Sequence, residues 1–257
     1  MKRIITLTIA LVIGICASAQ DTLKVMSYNL RFGELASMED IGAAISAENP
    51  DIVMLQECDW ATYRERAPKQ NGVKFVNVLA STTGMFGIYG KSINYRGGYY
   101  GIGLLSRYPV IRSERILLPN DGKKEQRSIL IADVELPSGK IITVASTHLE
   151  VSSAELRIEQ VKFINKLAKK NRHPFILAGD MNAEPDSEEM ARFRQCWKDC
   201  TTRELTYSTY KPTMKIDYIY ARPASKVEML ETERITRYPK LSDHFPVKST
   251  IVINYTR

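Results

Sequence analysis

Cysteine, histidine and tryptophan are scarce in this chain: four, three and two among 257 residues. Cys16 lies in an N-terminal apolar segment, behind Ile15, which is bulky where lipid-attachment sites carry a small residue. Cys58, Cys196 and Cys200 allow one disulfide at most, so a disulfide-stapled scaffold is excluded. Cys196 and Cys200 lie four apart with no second cysteine pair or nearby histidine, which argues against zinc; they are either bonded to each other or packed as apolar residues. Function therefore does not rest on thiol redox chemistry. Beyond residue 19 there is no internal repeat, low-complexity tract or long linker, and no apolar run of the roughly 20 residues that spans a membrane. A large charge excess is also missing. The net charge is +7, spread along the chain, too little to demand a nucleic-acid partner, whose binding leans on clustered Lys and Arg. The cluster Lys166, Lys169, Lys170 and Arg172 reads as the solvated last turn of a helix.

What is present begins with an export signal. Lys2 and Arg3 precede an apolar stretch over 4–17, and Ala17-Ser18-Ala19 is a small-x-small cleavage site. Cleavage after Ala19 removes those two cations and no acid, so the charge falls from +7 to +5, and the product is expected in the periplasm or outside the cell. The remaining 20–257 suit one large α/β domain or two small ones, long enough to bury a core without staples.

Hydrophobic periodicity predicts strands over 23–30, 51–56, 101–106, 128–136, 140–147, 174–178, 215–221 and 247–255. The 128–136 and 140–147 segments pair across Pro137-Ser138-Gly139. Helices are predicted over 37–48, with Ile41, Ala44 and Ile45 buried, and over 187–196. A third runs from the capping box SSAE (152–155) to about 171, with Leu156, Val161, Ile164 and Leu167 facing inward. Hairpins beside crossovers indicate an α/β protein with mixed sheets.

Several of these strands end in groups foreign to a core. Asn29, Glu57, His148, Asp180 with Asn182, Asp217, and Asp243 with His244 all stand at or beside strand ends. The stretch ILAGDMNAEP (176–185) shows the pattern: a buried apolar run, then Gly179, a carboxylate and an amide, closed by Pro185. Each position alone could be an ordinary turn or cap. Together they are four acids, two amides and two of the three histidines. Converging acids repel and raise one another's pKa unless a hard cation sits among them, and Mg²⁺, with Mn²⁺ as a substitute, is the natural choice for such oxygen donors. Imidazoles that move protons and amides that orient oxygens complete what phosphoester cleavage needs.

Seven blocks carry a family resemblance: SYNLR (27–31), DIVMLQE (51–57), GIGLLSRYPV (101–110), STHLE (146–150), ILAGDMNAEP, KIDYIY (215–220) and SDHFPV (242–247). In this order the chain resembles the endonuclease/exonuclease/phosphatase superfamily, which includes deoxyribonuclease I, apurinic endonucleases, neutral sphingomyelinases and inositol-polyphosphate phosphatases. The resemblance implies a four-layer sandwich, two β-sheets packed face to face with helices outside, as a single domain over 20–257 and a monomer. It implies Glu57 as the main metal ligand with Asn29 beside it, and Asp243 as a second ligand, directly or through water. Asp217 would pair with His244, His148 would contact the phosphate and protonate the leaving oxygen, and Asp180 and Asn182 would orient water and phosphoryl group. Arg31, Tyr99 and Tyr100 are candidates to touch the substrate; Gly/Tyr loops of this kind are more often hairpin turns with packed rings, and the same choice faces Trp60, Tyr63 and Arg64. The identity of the general base stays open. So does the acidic partner that the deoxyribonuclease I branch gives to its first histidine, since Glu150 is adjacent to His148 only in sequence. His173 reads as a surface residue. A lipid head-group or small-molecule phosphodiester is favoured as substrate; a nuclease, and a catalytically silent binding module on the same fold, are the alternatives.

Overall fold

The computed structural model describes residues 20–255, so the export signal over 1–19 lies outside the described residues. Strand β1 (Gln20–Asn29) runs parallel to β2 (Ile52–Trp60), with Val25 opposite Ile52 and Asn29 opposite Gln56. Parallel neighbours need a crossover, which α1 (Met38–Glu48) provides. Ser37 caps this helix by accepting the Asp40 N–H, Ile41, Ala44 and Ile45 are buried at helical spacing, and Asn49 ends it in the left-handed conformation. A second parallel pair, β7 (Ile141–His148) and β8 (Phe175–Asp180), is bridged in the same way by α3 (Ala154–Lys170).

Each parallel pair is the centre of a six-stranded sheet whose other neighbours are antiparallel. In the first, β4 (Gly98–Ser106) and then β3 (Phe86–Tyr95) flank β2, while β12 (Val247–Asn254) and then β11 (Val227–Arg234) flank β1. In the second, β6 (Ser128–Glu135) and β5 (Val110–Leu117) lie beyond β7, and β10 (Asp217–Arg222) with the short β9 (Lys198–Asp199) beyond β8. Strand alternation then sorts the core into layers. Leu23, Val25, Ile52, Met54, Val144, Ile176, Ala178 and Ile219 pack between the sheets. Met26, Tyr28, Val53 and Leu55 face the other way, against α1 and α2 (Phe75–Thr83). Ala145, Leu177, Tyr218 and Tyr220 pack with Val161 and Ile164 of α3 and Phe193 of α4 (Glu188–Arg194). The four-layer sandwich implied by the resemblance is the observed fold.

Differences from expectation have local causes. Strands β5 and β11 were not expected because they are edges: VIRSERIL and VEMLETER are mostly exposed, and a register shift in each interrupts the alternation of the few residues that reach the core. Helix α2 lacks a side-chain N-cap, and its FVNVLASTT sequence is rich in β-branched residues. The capping box over 152–155 is displaced: Ser153, not Ser152, accepts the Leu156 N–H, while Ser152 turns its N–H and hydroxyl to Glu150 at 2.9 and 2.8 Å. Cys58, Cys196 and Cys200 are all free thiols, and Cys200 packs between the sheets. Among the described residues no helix is long and apolar enough to cross a membrane.

Candidate active site

The carboxyl ends of both parallel pairs meet at one rim of the sandwich. On the second sheet, His148 stands opposite Asp180 and Asp180 opposite Asp217, so the registers of β7, β8 and β10 set three functional side chains in one row. Gly179 makes that row possible. A Cβ there would lie 1.9 Å from the Thr147 carbonyl oxygen, so any side chain would push β8 away from β7. From the first sheet, the amide nitrogen of Asn29 donates to Asp180 Oδ2 at 3.0 Å and to Glu57 Oε1 at 3.2 Å, joining the two halves of the site. Asn29 Oδ1 accepts the Arg31 N–H at 2.9 Å, which orients the amide.

Glu57 lies within the bulge between Leu55 and Cys58 and has φ 56°. A left-handed, non-glycine residue inside a strand is strained, and bulges re-aim side chains beside functional sites. Asn182 is also left-handed, with φ 48°. Its N–H donates to Asp180 Oδ1 at 2.9 Å, so the carboxylate and amide of ILAGDMNAEP form a closed turn facing the rim. Its Nδ2 donates to Leu149 O at 3.0 Å and lies 3.0 Å from His148 Nε2.

His244 Nδ1 is 3.0 Å from Asp217 Oδ2, and its Nε2 lies 3.7 Å from Asp180 Oδ2. Ser242 seats this loop: its hydroxyl donates to Asn29 O at 2.7 Å and accepts the His244 N–H at 3.2 Å. The result is a cleft of about 340 Å³ that Glu57, His148, Asp180, Asn182, Asp243 and His244 all line. A hollow of about 460 Å³ between 33–40 and 67–73 is larger, but it gathers no comparable set of histidines and buried acids.

Burial pushes the Asp180 carboxyl up to about 7, with the neighbouring Asp217 charge adding to it. His148 is held well below its ordinary value by burial and then by the Arg127 cation. Burial also opposes charge on His244, but the Asp217 carboxylate and its hydrogen bond prevail, raising that imidazole to about 9. The consequence for stability has a definite sign. His244 binds its proton more tightly folded than unfolded, so its contribution is complete below pH 6.5 and is lost as pH rises through about 9. The Tm of the metal-free wild type is expected to fall across that window, and the fall should be shallower in Asp217→Asn; parallel curves would contradict the pairing.

Oxygen atoms dominate the donor set. Ligand atoms of Asp180, Asp217 and His244 lie within 4.8 Å of one another, but Asp217 Oδ2 is already committed to His244, and Asp180 stands 3.7 Å from the other side of that ring. Glu57, half-buried and bonded only to the Asn29 amide, presents its carboxylate to the cleft. Hard oxygen donors without cysteine suit a hard divalent cation better than zinc.

Several residues are placed otherwise than the sequence suggested. Arg31 pairs its guanidinium with Asp243 and Glu34, while Asp243 still lines the cleft. Tyr100 lines the cleft, but its neighbour Tyr99 points to the opposite face of β4, exposed, with Lys91 Nζ 4.4 Å above its ring. Arg64 is bound to Asp59 at 2.6 and 2.9 Å and stacks on Phe32 and Tyr95, a structural role. Glu150 bonds Ser152 and is not a partner of His148. Besides the apolar Val151, Met214 and Ile216, two polar cleft residues were not anticipated. Tyr207, whose ring centroid is 4.9 Å from that of His244, comes from a stretch with little regular structure and no legible signal. Arg127 had no signal either: continuing the β6–β7 register sets it against Leu149, and it reaches His148 only because the chain leaves the strand before Ser128.

Fold and rim together define a phosphoester-hydrolase class. Residues 26–244 match the Endonuclease/Exonuclease/phosphatase family, and the chain belongs to that family, whose members are hydrolases acting on phosphoester bonds and typically depend on a divalent metal. The uncharacterized protein YbhP of Escherichia coli K12 is 27% identical over 252 residues, covering 90% of this chain and 97% of YbhP. The inositol phosphosphingolipids phospholipase C of Schizosaccharomyces pombe is 25% identical over 188 residues, 63% of this chain and 42% of that protein. Among solved structures, an endonuclease/exonuclease/phosphatase from Beutenbergia cavernae shares the fold with a TM-score of 0.74 at 21% identity, covering 91% of this chain and 72% of that one.

Proposed function

We propose that the protein is an exported, Mg²⁺-dependent phosphodiesterase that directs water onto phosphorus. The observation that carries this reading is Asp180: a buried carboxyl at about 7, centred between two histidines and the Asn29 amide. A base with a pKa near the working pH is the most effective proton acceptor. Asp180 takes the proton of the attacking water, and the Asn182 N–H and Asn29 amide hold its carboxylate in place. His244, an imidazolium braced by Asp217, supplies positive charge to the phosphoryl oxygens and the proton for the leaving oxygen. Glu57, with Asn29 beside it and Asp243 across the cleft, would hold Mg²⁺, which when bound polarises the phosphoryl group and offsets its charge. Residues 1–19 act in this reading as the export signal.

A lipid head-group or small-molecule diester is favoured over nucleic acid. The charge excess is modest, and one relative is described as a phospholipase C acting on inositol phosphosphingolipids. The test is a panel on the purified chain lacking residues 1–19: a chromogenic phosphodiester, phosphocholine or inositol-phosphate release from lipids, and plasmid nicking. Activity that EDTA removes and Mg²⁺ or Mn²⁺ restores is expected, with head-group release exceeding nicking. Plasmid nicking as the dominant activity would make the protein a nuclease, and no hydrolysis with any divalent cation would overturn the enzymatic reading.

A further inference from the structure

The two histidines of the cleft are wired with opposite polarity. His244 points Nδ1 at the Asp217 carboxylate, whereas His148 points Nδ1 at Arg127 Nη1, 3.2 Å away. Arg127 is only 7% exposed, lines the cleft and is anchored by Glu125 at 2.9 Å. Its Nε–H is buried with no partner, a cost that a purely structural arginine would be expected to avoid. A guanidinium can only donate, so the His148 Nδ1 beside it must accept.

On the other side of the ring, His148 Nε2 faces the Asn182 amide nitrogen at 3.0 Å and Asp180 Oδ2 at 3.5 Å. Both ring nitrogens therefore face donors, but a neutral imidazole accepts at only one. The bond from a fixed cation is roughly twice as strong as one between neutral groups. Asn182 must then be the group that yields, turning its amide oxygen toward the ring and giving up the Leu149 carbonyl.

We infer that Arg127 is a positioning residue that holds His148 as a neutral imidazole with its proton on Nε2. On the phosphodiesterase reading above, His148 then spends its one N–H on the Asn182 amide oxygen, fixing that side chain in the cleft, and transfers no proton. Protonation of the leaving oxygen falls to His244, so the two rings divide the roles of donor and acid.

Imidazole ¹⁵N spectra of the histidine-labelled protein test this, and three histidines make assignment by single substitution practical. At neutral pH the wild type is expected to show a pyridine-like Nδ1 and a pyrrole-like Nε2 for His148. Arg127→Met should mix the tautomers and lower kcat about tenfold, while Arg127→Lys should recover the wild-type pattern and most of the activity. Should Arg127→Met fail to fold, Glu125→Gln, at a more exposed position, releases the guanidinium and should shift the spectrum the same way. A protonated Nδ1 in the wild type, or an unchanged spectrum and kcat in the variants, overturns the inference. Because the spectra need no turnover, an inactive wild type would count against the phosphodiesterase reading alone.

Discussion

Replacing His244 by asparagine lowers kcat on a phosphodiester by roughly 10²- to 10⁴-fold. The asparagine amide can still donate to the buried Asp217, so the variant removes the transferable proton and the imidazolium without stranding a carboxylate in the core. Alanine would confound these, because Asp217 is 1% exposed and would lose its partner. Asp217→Asn should produce a loss of similar order by a different route: the ring keeps its place but loses the carboxylate that holds it charged. Because the residues act as a unit, the double variant should be little worse than either single one. The measurement is steady-state kinetics beside thermal unfolding. Turnover within about threefold of the wild type in a folded His244→Asn protein would remove this residue from the mechanism.

Glu57→Gln is expected to lower kcat/KM by roughly 10²- to 10³-fold and to raise the Mg²⁺ concentration needed for half-maximal activity. Glutamine keeps the shape and can still meet the Asn29 amide, so the change is one of charge. Alanine is the weaker experiment: at φ 56° it would keep the strained backbone while discarding the side chain that warrants it. Metal titrations of activity, and metal-dependent shifts in Tm, check the result. If wild type and variant respond to Mg²⁺ identically, the cation is held elsewhere, and the acids at 180 and 217 become the next candidates.

The site was legible where chemistry coincides with a strand end. Asn29, Glu57, His148, Asp180, Asn182, Asp243 and His244 each stand next to an apolar run that predicts burial, and the structure brings all of them to one rim, with Asp217 directly beneath His244. Less legible were groups whose role depends on a neighbour far away in sequence. Arg31 looked free in SYNLR, but its partner Asp243 lies 212 residues on. Tyr99 and Tyr100 look equivalent in the sequence, yet alternation sends one to the cleft and the other to solvent.

By itself the sequence determined most of the strands, the two crossover helices and the residues available for chemistry, because strand and helix periods are local properties of side chains, while the layering came from the family resemblance. It also determined that the site would be rich in oxygen donors and poor in sulfur. Only the tertiary structure decided the polarity of each histidine. Whether an imidazole accepts or donates depends on what stands at its Nδ1, and an arginine just ahead of an adjacent strand or an aspartate 27 residues away becomes that neighbour only through the meeting of separate chain segments.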